Sequence, residues 1–160
     1  MVSTPPSLDL SFDWVKNVLI EQSRDADALE TKATTLFSVA TVILGIGISA
    51  GVLSTQGSHV NLPSIIFGGL TLISYGFVIG FAIAAIQLRR YETLNNPIEI
   101  RKWFWDMEPT QFKIELLAHL EDSYTNNEAT LADKAKETRW LVVATAAEVI
   151  FLVMALAFTL

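Results

Sequence analysis

The sequence predicts an all-α integral membrane protein, a helical bundle with three transmembrane helices, extended cytoplasmic helices and an interfacial helix. Three observations predict it. Apolar residues make up 51% of the 160 and gather into three long runs. All 11 lysines and arginines fall outside those runs. The stretches between them keep helical spacing, and no strand-like alternation interrupts them. A chain of this length suits one domain.

The N-terminal segment, residues 1–33, reads as an amphipathic helix on the cytoplasmic side. Leu8, Phe12, Val15, Leu19, Gln22, Ala26, Leu29, Ala33 and Leu36 recur at alternating steps of four and three. That spacing is a heptad-like seam. It packs either on the chain's own central segment or between subunits. Neither Gly nor Pro separates it from the first apolar run. One long helix is therefore expected from about Ser11 through Thr55, with a bend near Thr34 and Thr35 as an option.

Crossing a hydrocarbon core of about 30 Å takes about 20 apolar residues in a helix. The transmembrane hairpin, residues 34–88, supplies two such spans, 34–55 and 63–88, and the third is 140–160. The first two contain no Lys, Arg, Asp or Glu, and the third contains only Glu148. Apolar runs of this length are hard to bury in the core of so small a soluble protein. The opening residues lack the basic start and early apolar stretch of a signal peptide, so the first span is expected to be retained.

Orientation follows from the basic residues. They lie before span 1 and between spans 2 and 3, whereas the loop Gln56 to Leu62 has none. By the positive-inside rule, the N-terminus and the central segment are cytoplasmic in the cell (inner) membrane, and the C-terminus is outside. Arg89, Arg90, Arg139 and Trp140 flank the inner span ends as anchors.

The cytoplasmic region 89–139 begins with Asn96 as a helix cap and Pro97 at the first helical position. Trp103 and Trp105 beside Arg101 and Lys102 suit an interfacial helix, or packing beneath the bundle. Pro109 ends that helix. A second one, Thr110 to about Tyr124, places Phe112, Leu116, Leu117 and Leu120 on one side. Asn126 and Asn127 would interrupt or cap it before the chain runs on into span 3.

Within the membrane, Gly47 and Gly51 in span 1 and Gly76 and Gly80 in span 2 form small-residue pairs four apart. Such pairs let another helix approach closely. They suit contact between spans 1 and 2, subunit packing, or a pore lining. Glu148 sits eight residues into span 3, where a carboxyl costs roughly 3 kcal/mol to insert. It is expected off lipid, with Thr145 on its face. There it would line an aqueous path, pair across subunits, or bond to hydroxyls such as Thr41, Ser49, Thr71, Ser74 and Tyr75.

Catalytic signals are absent from the sequence, and no enzyme is expected. His59 and His119 have no metal-ligand spacing around them. No phosphate or dinucleotide glycine loop follows a strand. Cysteine is missing and the net charge is −6. This excludes thiolate chemistry and argues against nucleic acid as a partner. No cofactor or metal is expected. An enzyme acting on lipid would have to rely on Glu148 alone, deep in a span.

The layout carries a resemblance. A helix with Glu21, Arg24, Asp25, Asp27, Lys32 and Ala33 leads into span 1. A second span follows closely, and a helical insert returns through Asn126, Asn127, Asp133, Lys134, Ala135 and Lys136 into span 3. This resembles the small membrane effectors of prokaryotic antiviral systems, the Pycsar transmembrane effector and SLATT groups. Three spans stand between the two of the SLATT plan and the four of the usual Pycsar plan. The resemblance implies a homo-oligomer in the lipid bilayer that forms a pore or otherwise permeabilises the membrane. A cytoplasmic sensor protein or a small signalling ligand would trigger it. The rival expectation is a non-conducting structural or accessory subunit that anchors a larger complex through its cytoplasmic helices.

Overall fold

The computed structural model describes residues 6–54, 61–87 and 107–158. The described residues form three helices, α1 (Pro6–Ser54), α2 (Leu62–Ile86) and α3 (Pro109–Ala157). Each is long and apolar enough to cross a membrane. The expected interfacial helix, with Trp103 and Trp105, and the expected anchors Arg89 and Arg90 after span 2 lie outside the described residues.

The local chemistry explains the helix limits. Pro109 opens α3 at a position where its missing N–H would have no helical partner. Phe112 N donates to Glu108 O at 2.9 Å, closing the first turn. Pro63 lies in the first turn of α2 for the same reason, after an extended Asn61. The Asn126–Asn127 pair does not interrupt α3, contrary to the sequence expectation. Asn127 is buried at a seam position seven residues after Leu120 and seven before Lys134. Packing outweighs the few tenths of a kcal/mol by which Asn disfavours a helix.

Packing divides the chain into two units, Met1–Asp27 with Leu88–Asp133, and Ala28–Gln87 with Lys134–Leu160. The first is polar and the second apolar. In the polar unit the start of α1 lies beside the start of α3. Val15, Leu116 and Leu120 form the buried centre, with Phe12, Leu19, Phe112 and Leu117 packed around it. Lys113 forms an ion pair with Asp9. Gln22 Nε2 donates to Tyr124 O at 3.3 Å. The two pairs are 104 and 102 residues apart in sequence, so the helices run parallel with a nearly constant offset.

In the apolar unit the same offset recurs, with Lys134 paired to Glu30. Ala33, Ala40 and Leu141 are buried together with Val78, Ala82 and Ala85 of α2. At Gly47, a Cβ would strike Leu152 of α3, so the small residue there lets the helices approach closely. Burial on α1 therefore keeps a seven-residue repeat, Ala26, Ala33, Ala40, Gly47. A strict seven-residue repeat is the pattern of a left-handed coiled pair. The heptad seam packs on the chain's own α3.

The outward faces of this unit are apolar: Val42, Ile46, Leu72, Ile73, Phe77 and Val153 are all exposed. Contiguous exposed surface of this kind is foreign to a water-soluble monomer and ordinary for helices facing lipid. Inside such helices a hydroxyl needs a partner. Those of Thr34, Thr35, Ser38, Thr41 and Ser49 donate to the carbonyl four residues earlier. This satisfies them without a second helix.

Candidate functional site: a sealed polar row inside the apolar unit

The heptad repeat carries α3 inward at Lys134, Leu141 and Glu148, seven residues apart. The same periodicity that buries Leu141 therefore buries a lysine at one end and a carboxyl further along. Lys134 is 1% exposed and paired with Glu30, which remains near the polar end of the unit.

Glu148 is 0% exposed. Neither of its oxygens has a hydrogen-bond partner among the described residues. Lys134 lies 14 residues away, roughly 21 Å along the helix at 1.5 Å per residue, too far to pair with it. No other charged residue of the described spans lies nearer its level than Arg139, which is exposed where span 3 begins.

The register of α2 against α3 shows what stands opposite. Asn61 Nδ2 donates to Phe158 O at 3.2 Å. Phe67 stacks on Phe158 with ring centroids 5.7 Å apart, and Phe81 stacks on Trp140 at 6.3 Å. The helices are therefore antiparallel. With equal rise in both, Val78 is level with Leu141, Ser74 with Thr145, and Thr71 with Glu148. All six are buried. Thr71 Oγ1 donates to Phe67 O and Thr145 Oγ1 to Leu141 O, each at 2.9 Å. Each hydroxyl oxygen keeps lone pairs that can still accept. On α1, Thr41 and Tyr75 of α2 share a hydroxyl–hydroxyl bond of 3.0 Å at the margin of this row.

The row thus consists of one carboxyl and three hydroxyl side chains, closed off within a single chain by α1, α2 and α3. Such a set can hold a proton or a cation, or present polar groups to water if the helices separate. It lacks the paired acid and base of a hydrolytic site. Among the described residues, no three His, Cys, Asp or Glu gather in metal-binding geometry.

The glycine pairs do not make the contact between spans 1 and 2, one of the three uses expected of them. A Cβ on Gly47 would strike Leu152 of α3, with Cδ2 at 2.6 Å and Cγ at 2.9 Å. Gly47 is therefore a close-approach point between α1 and α3, because it continues the seam that starts at Ala26. Gly51, Gly76 and Gly80 would meet nothing within 4 Å. Gly76 and Gly80 are exposed, since α2 buries Thr71, Ser74 and Val78 instead. Arg139 and Trp140 are exposed at the start of span 3, with Trp140 against Phe81.

Sequence reasoning missed Lys134 as a buried group and Ser64 on the buried face of α2, and it named Thr71 and Ser74 only as two of five hydroxyls open to Glu148. The seven-residue steps from Lys134 to Leu141 to Glu148 were the signal that could have found the first. Compared with known protein families, characterised proteins and solved structures, the chain matches none.

Proposed function

We propose that the protein is an oligomeric membrane effector that permeabilises the cell membrane when its cytoplasmic helices receive a signal, in antiviral defence. The observation that carries this reading is Glu148. A carboxyl with both oxygens unpartnered in a dry interior costs stability in the packed state. Separation of α1, α2 and α3 would relieve that cost by giving Glu148, Thr145, Thr71 and Ser74 to water. Three helices of one chain enclose no channel, so several copies have to assemble. The open glycine face of α2, Gly76 and Gly80, offers a surface for close helix approach in the bilayer. The absence of basic residues from the 56–62 loop supports an N-terminus inside and a C-terminus outside.

The test is ion leak from liposomes containing the purified protein, wild type beside Glu148→Ala and Gly47→Leu. Leak that rises steeply with protein density and fails in Glu148→Ala supports an oligomeric pore. Absence of leak at every density, with a discrete oligomer in detergent and a stable protein partner in cells, favours the accessory-subunit reading.

A further inference from the structure

The polar unit has an outer face that its helix pair does not use. Its described residues carry eleven carboxylates against three basic side chains, a formal charge of −8, while the whole chain is −6. All of the eleven except Asp9 are on exposed residues. Within this acidic field Leu10 is 74% and Trp14 67% exposed. They are one turn apart on α1, turned away from the seam residues Val15, Leu19 and Gln22. Asp13 and Glu21 border them. A solvated acidic face by itself would have no use for a tryptophan and a leucine standing at helical spacing.

Charge narrows what covers this face. A second copy would bring another net-acidic face against it, and an anionic lipid surface would likewise repel it. A basic amphipathic helix supplies both complements, an apolar stripe for Leu10 and Trp14 and cations for the surrounding carboxylates. We infer that the outer face of α1 around Leu10 and Trp14 docks a basic amphipathic helix of a partner protein. The inference rests on the proposal that these helices receive a signal, and it names the chemistry of the partner.

The experiment uses the full chain in nanodiscs of zwitterionic lipid, which do not themselves attract a cationic peptide. A fluorescent peptide with Leu and Lys at amphipathic helical spacing is titrated in and followed by anisotropy. Its twin, with Glu in place of Lys, is the control. Saturable binding is expected for the Lys peptide only, weakened by added salt. Trp14→Ala should weaken it roughly tenfold, as loss of an aromatic anchor does at other interfaces. Asp13→Lys combined with Glu21→Lys should abolish it. Four results overturn the inference: no binding of the Lys peptide, equal binding of the Glu twin, binding indifferent to both sets of substitutions, or binding that appears only after Arg101→Glu with Lys102→Glu. The last would make the chain's own segment the occupant. Leak is read separately. A leaking protein that binds no peptide overturns only the docking inference, and one that binds but never leaks overturns only the effector reading.

Discussion

Replacing Glu148 by leucine should make the protein more stable and less active at once. The side chain is wholly buried and neither carboxyl oxygen has a partner among the described residues. A buried polar group left unsatisfied costs about 1–3 kcal/mol. Leucine removes the group and fills most of its volume, so little cavity remains. Glu148→Leu should therefore raise the free energy of unfolding by about 1–3 kcal/mol, the low end applying if the separated helices already satisfy the carboxyl in lipid. Glu148→Ala makes the useful contrast. It removes the same oxygens but leaves a void, a term that alone costs on the order of 2 kcal/mol, and the two effects nearly cancel. The assay is unfolding in mixed micelles of increasing SDS fraction, followed by tryptophan fluorescence, with leak measured on the same preparations. A loss of more than about 1 kcal/mol in Glu148→Leu would refute the reasoning, because a carboxyl that stabilises the fold must have a partner.

Other substitutions test the packing. Gly47→Leu should destabilise by about 1–3 kcal/mol through overpacking against Leu152, and Leu152→Ala in the same chain should recover most of that loss in a double-mutant cycle. Gly76→Leu with Gly80→Leu should leave unfolding unchanged, since both positions face open space, while reducing the oligomer in crosslinking. Glu30→Gln should cost about 1–3 kcal/mol by neutralising the carboxylate that faces the buried Lys134, whereas Lys134→Met should cost less, since removing the buried charge removes its desolvation penalty as well. Both are read from the same SDS titration.

Much of the helical layout was legible because polar segments display their periodicity. Each seam residue from Leu8 to Leu36 is buried or half-buried in the structure. The seam continues through Ala40 and Gly47, and there the sequence falls silent. In a span where nearly every side chain is apolar, the face toward lipid and the face toward a helix have the same composition. That is why the glycine pairs looked alike, although Gly47 meets Leu152 and Gly76 and Gly80 meet nothing. Glu148 was expected off lipid on cost alone. Its placement within one chain depends on the α1–α3 register, which is set by pairs such as Glu30 with Lys134 rather than by any local motif. The Asn126–Asn127 pair misled for the opposite reason, since local propensity was read without knowing that Asn127 falls on the seam.

The offset between α1 and α3 also sets a timetable for synthesis. The seam of α1 is complete early, but the residues it closes on emerge about a hundred positions later, as in the 104 that separate Asp9 from Lys113. At a translation rate of 5–20 residues per second, α1 waits roughly 5–20 s with its apolar stripe unpaired. During that interval neighbouring nascent chains compete with the chain's own α3 for the same stripe. The more copies are made close together, the more often α1 of one chain will be met by α3 of another, so the density of synthesis at the membrane bears on whether closed monomers or exchanged assemblies accumulate.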